Sequence, residues 1–142
     1  MSLAALDNLV RVGRLKREPR NDAECGRLLK MAKTRLADSG LSGLSPDGRF
    51  ISAYNAAHAA ALAALRWHSY RSEHRYTVFQ CLTHTVNWPA PRWRVFDVAH
   101  QKRNLAEYEG SLDVEESTIR ELRELAAELI ADVAKLIAPP KT

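Results

Sequence analysis

Apolar residues recur at three- and four-residue steps along nearly the whole chain, and the breaks between these stripes are sharp. Leu3, Leu6, Leu9 and Val10 make a short first stripe from Ser2 to about Val12, broken by Gly13 and then Pro19. A second helix is predicted to begin near Asn21 or Asp22, either of which can cap its free N–H groups. Leu28, Leu29, Met31, Ala32, Leu36 and Ala37 supply its buried side, and it ends before Gly40 and Gly43. Ser45-Pro46 opens a third helix as an N-cap followed by proline at the first helical position. Phe50, Tyr54, Ala57, Ala61 and Leu65 then form its stripe, and the alanines between 53 and 64 let neighbours approach closely, which suggests a central place.

Ser72 is positioned to cap a fourth helix carrying Tyr76, Phe79, Leu82 and Val86, stopped by Asn87-Trp88-Pro89. A fifth starts at Pro91 and carries Trp93, Phe96, Ala99 and Leu105 towards the core before Gly110 ends it. Asp113 and Glu116 have capping-box spacing for a last helix, whose stripe of Ile119, Leu122, Leu125, Leu129, Val133 and Leu136 closes at Pro139-Pro140. No segment of useful length alternates as a half-buried strand does. The expected fold is therefore all-α, an antiparallel bundle of about five or six helices, because short connections favour antiparallel neighbours. One domain spans residues 1–142: an N-terminal helix and basic linker (1–18), a main bundle (19–138) and a tail (139–142).

Composition changes this picture little. With 46% apolar and 27% charged residues, the chain is an ordinary globular one rather than a disordered one. No run approaches the roughly 18 to 20 apolar residues that span a bilayer. Met1 to Val12 carries Asp7 and Arg11 and no signal-like apolar block, so a cytoplasmic location and no membrane partner are expected. Cys25 and Cys81 are far apart in sequence and have no CxxC neighbour, as expected of two reduced thiols.

The net charge of +4 is unevenly spread: nine Lys/Arg lie between Arg11 and Arg35 against Glu18, Asp22 and Glu24. A second basic cluster comprises Arg92, Arg94, Lys102 and Arg103. Such clusters favour polyanions by releasing counterions, although a mildly basic helix face is most often simply solvated.

Phosphate loops, dinucleotide fingerprints, HExxH and EF-hand strings are absent from the sequence. His58, His68, His74, His84 and His100 show no metal-ligand spacing with cysteine or paired carboxylates, so no metal or cofactor is expected. What remains is the stretch from Ala99 to Gly110. On a helix, His100, Arg103, Asn104, Glu107 and Tyr108 share one polar and aromatic side. Tyr54 and His58 stand one turn apart on the third helix, where a packed, hydrogen-bonded pair is the plain expectation. Tyr70 and Arg71 follow that helix, either as packing or as part of the same cleft, and Trp88 and Trp93 flank a proline-rich turn as a hydrophobic clasp or a partner surface.

These residues resemble the HEPN family of helical bundles, many of which carry an arginine, a polar residue and, after three more positions, a histidine near a helix end. The resemblance spans most of the chain in helix number and order. It is carried by Arg49-Phe50 with Ala53-Tyr54-Asn55-Ala56-Ala57-His58, by Tyr70-Arg71, and by Arg103-Asn104 with Glu107-Tyr108. In catalytic members of the family, the arginine contacts phosphate and the histidine moves protons during metal-independent RNA cleavage. Carried over, Arg103 and Asn104 match the first two motif positions, and the histidine position falls on Tyr108. A tyrosine of pKa about 10 is a poor base near neutral pH. His100, one turn before Arg103, is the substitute that the residues themselves suggest.

The resemblance thus implies an RNA- or nucleotide-binding module, one half of a prokaryotic toxin–antitoxin or defence pair with a nucleotidyltransferase partner. It also implies a homodimer whose two motif helices face one cleft; the detached leucine stripe of the first helix points to self-association as well. The binding residues on this reading are Arg103, Asn104, Tyr108, Lys102, Arg71 and Tyr54, with arginine and asparagine bonding phosphate and base edges and tyrosine stacking. The alternatives are a metal-independent endoribonuclease toxin using Arg103, His100 and Tyr108, and a bundle that binds only protein. The plainest reading of the motif pairs Arg103 with Glu107 and packs Tyr108 near the helix end.

Overall fold

Twelve of the 22 residues of the third helix are buried, alanines on every side of it among them, and a helix apolar all round belongs in the middle of a bundle. The computed structural model describes residues 2–137 and places this helix, α3 (Pro46–Trp67), at the centre. α2 (Asp22–Asp38) and α7 (Glu116–Ile137) pack on one side of α3 and on each other. Against the rest of α3 lie α4 (Arg75–Gln80), α5 (Leu82–Thr85) and α6 (Ala90–Glu109), while α1 (Ser2–Arg11) rests on α5. α4 and α5 are one helix broken at Cys81, so the fold is an all-α bundle of six helices.

The helix ends follow local chemistry. Asn21 accepts a bond from the Glu24 amide (2.9 Å) and Ser45 from the Gly48 amide (3.0 Å), as N-cap side chains do. Gly110 closes α6 with a φ of 79°, a left-handed conformation in which glycine avoids the Cβ penalty. Two ends differ from expectation. Ser72 does not cap α4; its hydroxyl accepts from the His74 amide and donates to the Arg14 carbonyl, tying the linker down instead. α7 starts after Glu115, whose carbonyl accepts from the Ile119 amide, and the Glu116 carboxylate pairs with Arg49 instead of closing a capping box with Asp113.

Four burial expectations also change. Leu105 is 54% exposed, since the second half of α6 runs past the bundle, and Met31 and Tyr76 lie at the surface. α1 is not detached: Leu6 is wholly buried and Leu9 and Val10 pack on the core, so the leucine stripe covers its own bundle. Leu3 of that stripe and the 139–142 tail lie outside the described side chains. Trp88 and Trp93 form the expected clasp, each satisfied at its indole N–H, by Asp132 (2.8 Å) and by the Thr83 hydroxyl (2.9 Å).

Sequence periodicity had not indicated the short two-stranded ladder that joins Lys16–Arg17 (β1) to Tyr70–Arg71 (β2), antiparallel. It forms because Arg66, 1% exposed at the end of α3, needs acceptors for every donor it carries. Its Nε donates to Glu24 (2.7 Å), one terminal nitrogen to the carbonyls of Glu18 and Tyr70 (3.0 and 3.2 Å), and the other to the carbonyl of Pro19 (2.7 Å). Truncating Arg66 leaves Glu18 and Glu24 to Arg71 but takes the donor from the carbonyls of Glu18, Pro19 and Tyr70 and empties a buried site, a loss of about 2–5 kcal/mol. Arg66→Ala is accordingly expected to lower the urea-unfolding free energy by that amount, and a loss below about 1 kcal/mol would show that the network is dispensable.

Candidate functional site

Where α3 meets α6, the alanines of α3 leave room for a large ring, and Tyr54 occupies it, fully buried. That hydroxyl lies 3.0 Å from Nδ1 of His100 on α6 and accepts a bond from Arg75 on α4 at 3.2 Å. The Tyr54 ring lies nearly parallel to His100 and meets Phe79 edge-on. Arg75 is a donor only, so the phenolic proton has one acceptor within reach, Nδ1. With the phenol as donor, the assignment that follows for a neutral His100 puts its proton on Nε2. The amide nitrogen Nδ2 of Asn104, one turn further on, stands 3.2 Å from Nε2, and turning that amide over puts its oxygen there as the acceptor this tautomer needs.

Charge reinforces this arrangement. Burial lowers the pKa of His100, the guanidinium of Arg75 lowers it further, Asp97 opposes and Arg103 adds to the lowering. Burial raises the pKa of Tyr54, against the pull of Arg75, so the phenol stays protonated and able to donate. His58, beneath the cluster and edge-on to Phe79, is pushed down to about 4, chiefly by burial and further by Arg75 and His100.

The site is therefore a line of donors: Arg75, the Nε2 edge of His100 with Asn104, and Arg103, whose terminal nitrogen rests 3.3 Å from Glu107. The pair of Arg103 and Glu107 is the plain i,i+4 bridge read from the sequence, and with Glu107 67% exposed it is a weak one. Tyr54 pairs with His100 rather than with His58, since it turns towards α6 instead of along its own helix. Tyr108 packs on nothing; it is 93% exposed. Arg71 is not at this face: it binds Glu18 through two bonds (3.0 and 2.9 Å) and also Glu24, and these carboxylates hold it firmly protonated. Lys102 lies round α6 from His100, on a groove shared with α7.

Arg75 was absent from the sequence reading. It stands in a fourth-helix segment whose apolar stripe drew attention elsewhere, and only the contact between α4 and α6 brings it beside Tyr54. Both cysteines are free and buried, and burial raises both thiols, Cys81 to about 12, so neither is a thiolate at neutral pH. No group of three or more His, Cys, Asp or Glu among the described residues is placed to hold a metal, and no described helix is long and apolar enough to cross a membrane. Compared with family models, curated proteins and solved structures, the chain matches none.

Two measurements follow from this geometry. Tyr54→Phe removes the donor to Nδ1, so the His100 pKa rises in an NMR imidazole titration; an unchanged or lower value would remove the tautomer assignment. For His58, the unfolded chain takes up a proton near pH 6.5 that the folded chain refuses until about 4. Stability should therefore be full above that window and fall as pH drops through it, with the melting temperature declining by several degrees between pH 7 and 5. His58→Phe should flatten that decline, leaving the smaller contributions of His100 and His68, whose pKa values are also lowered.

Proposed function

We propose that this chain is a HEPN-like module that binds RNA or a nucleotide at the face shared by α4 and α6. In that role it serves as one half of a prokaryotic toxin–antitoxin or defence pair with a nucleotidyltransferase partner, and acts as a homodimer in the cytoplasm. The pair, the partner and the dimer rest on the family resemblance. The binding role rests on one observation: Arg75 and Arg103 flank His100, whose ring bonds Tyr54 on one nitrogen and the Asn104 amide on the other. Two guanidiniums suit phosphate oxygens, and the His100–Asn104 edge suits a base or ribose acceptor. Tyr108, fully exposed at the overhanging end of α6, offers a stacking surface.

The same geometry weighs against strand cleavage at this site. General-base work needs a free imidazole nitrogen, whereas both nitrogens of His100 are engaged, Nδ1 by Tyr54 and Nε2 by Asn104. The Tyr108 phenol has no basic neighbour to activate it: the α6 histidine is bonded to Tyr54 and Asn104.

Fluorescence anisotropy with a labelled single-stranded RNA tests the binding reading. Arg103→Ala and Arg75→Ala should each weaken binding about tenfold, the scale of one charge-assisted contact, and added salt should weaken the wild type. Glu107→Gln should strengthen it by freeing Arg103. Lys30→Ala, on the α2 surface away from α6, should change little. Binding no weaker in the two arginine variants than in Lys30→Ala would sink the site. Metal-free incubation with total RNA is the companion assay: cleavage lost in a folded Arg103→Ala protein would replace the binding reading with the ribonuclease one.

A further inference from the structure

α6 buries Trp93, Phe96 and Ala99 against the bundle and presents an apolar stripe on its opposite side. Val95, Val98, Leu105 and Tyr108 are 40, 58, 54 and 93% exposed. Val98 and Leu105 stand seven residues apart, with Val95 and Tyr108 one turn beyond at either end, so the stripe runs along the helix axis as a coiled-coil seam does. Beside it, between α6 and α7, opens a cavity of about 390 Å³ walled by Phe50, Val95, Val98 and Leu122. Large apolar side chains gathered on the outside of one helix, next to an apolar groove, mark an interaction surface.

We propose that a second copy of this chain covers that surface, with the two α6 helices antiparallel about a twofold axis beside Gln101 and Lys102. The sequence of the stripe is self-complementary in this register and in no other direction. Reversed onto itself, it sets Val98 against Leu105 and Val95 against Tyr108, each twice by symmetry. The flanking charges agree: Arg94 of each copy meets Glu109 of the other. Both are exposed, and whereas Arg92 pairs with Glu128 and Arg103 with Glu107, neither Arg94 nor Glu109 has an ion-pair partner among the described residues. Lys102 falls opposite Gln101, so the lysines sit on either side of the axis rather than face to face. A parallel pairing would oppose Arg94 to itself and Glu109 to itself, which like-charge repulsion disfavours.

The antiparallel register also brings Tyr108 of each copy to Val95 of the other, at the wall of the groove, where the cavity has room for its ring. A tyrosine 93% exposed in its own chain thereby gains an apolar socket, the kind of aromatic anchor that dominates small interfaces. The axis lies on the far side of α6 from His100 and Arg103. The two polar sites therefore open on the outer flanks of the dimer and do not share one cleft, unlike the arrangement that the family resemblance implies. The pairing takes Tyr108 away from base stacking but leaves Arg75, His100, Asn104 and Arg103 open, and it stands independently of what they bind.

Sedimentation equilibrium of the full chain at tens of micromolar tests it. The wild type should be a dimer of the 16.0 kDa chain, and Val98→Asp/Leu105→Asp a monomer. These side chains are exposed in the single copy, so the variant should keep the wild-type circular dichroism and melting of a folded bundle. Arg94→Glu and Glu109→Arg should each raise the dimer dissociation constant at least tenfold, and the two together should restore it. A monomeric wild type, or a dimer that survives Val98→Asp/Leu105→Asp, would overturn the surface. A double charge reversal without recovery would overturn the antiparallel register. RNA affinity measured on the monomeric variant separates this outcome from that of the binding reading, because either can fail alone.

Discussion

One buried guanidinium organises the end of the molecule where four segments meet. Arg66 is nearly inaccessible to water at the end of α3, and a charge in that position is tolerable only when every donor is met. The partners come from the start of α2, from the Glu18-Pro19 backbone and from the Tyr70 carbonyl. Satisfying Arg66 therefore draws the linker across the bundle and pairs it with the residues after α3 as a two-strand ladder. Arg71 strengthens the clamp by sharing Glu18 and Glu24 with Arg66. At the other end of the strap, Tyr70 bonds Asp7 of α1, and the first helix is held down over its own core.

With that end fixed, the freedom of the structure lies in α6. Its first half is pinned by Trp93, Phe96 and Ala99 between α3 and α4, while its second half runs clear of the bundle and exposes nearly every side chain. A helix in this position has two faces to spend. Its polar side turns His100, Asn104 and Arg103 to solvent next to Arg75, and its apolar side is left uncovered by the chain itself. The two faces point in different directions, so a protein partner on one and a polyanion on the other compete only for Tyr108.

The chemistry of the polar side turns on a single choice of proton. Because Arg75 can only donate, the Tyr54 hydroxyl keeps its proton and donates a hydrogen bond to Nδ1, which leaves Nε2 as the donor of a neutral His100. Desolvation and two neighbouring guanidiniums push the same way, since all of them penalise an imidazolium. A site preorganised as donors fits an anionic or acceptor-rich ligand better than it fits proton transfer.

Much of this was legible along the chain. The helix order, the central alanine-rich α3, the caps at Asn21 and Ser45 and the closing Gly110 follow from periodicity and from local hydrogen bonding, which act within a few residues and so are written in the sequence. The i,i+4 bridge from Arg103 to Glu107 was readable for the same reason. What lay out of reach depended on contacts across long stretches of chain. Arg75 at Tyr54, the turn of Tyr54 from His58 to His100, the commitment of Arg71 to carboxylates and the exposure of Leu105 all depend on which helices touch and where one overhangs. Periodicity says that a residue lies on a stripe; only packing in three dimensions decides whether that stripe meets the core, a partner or water.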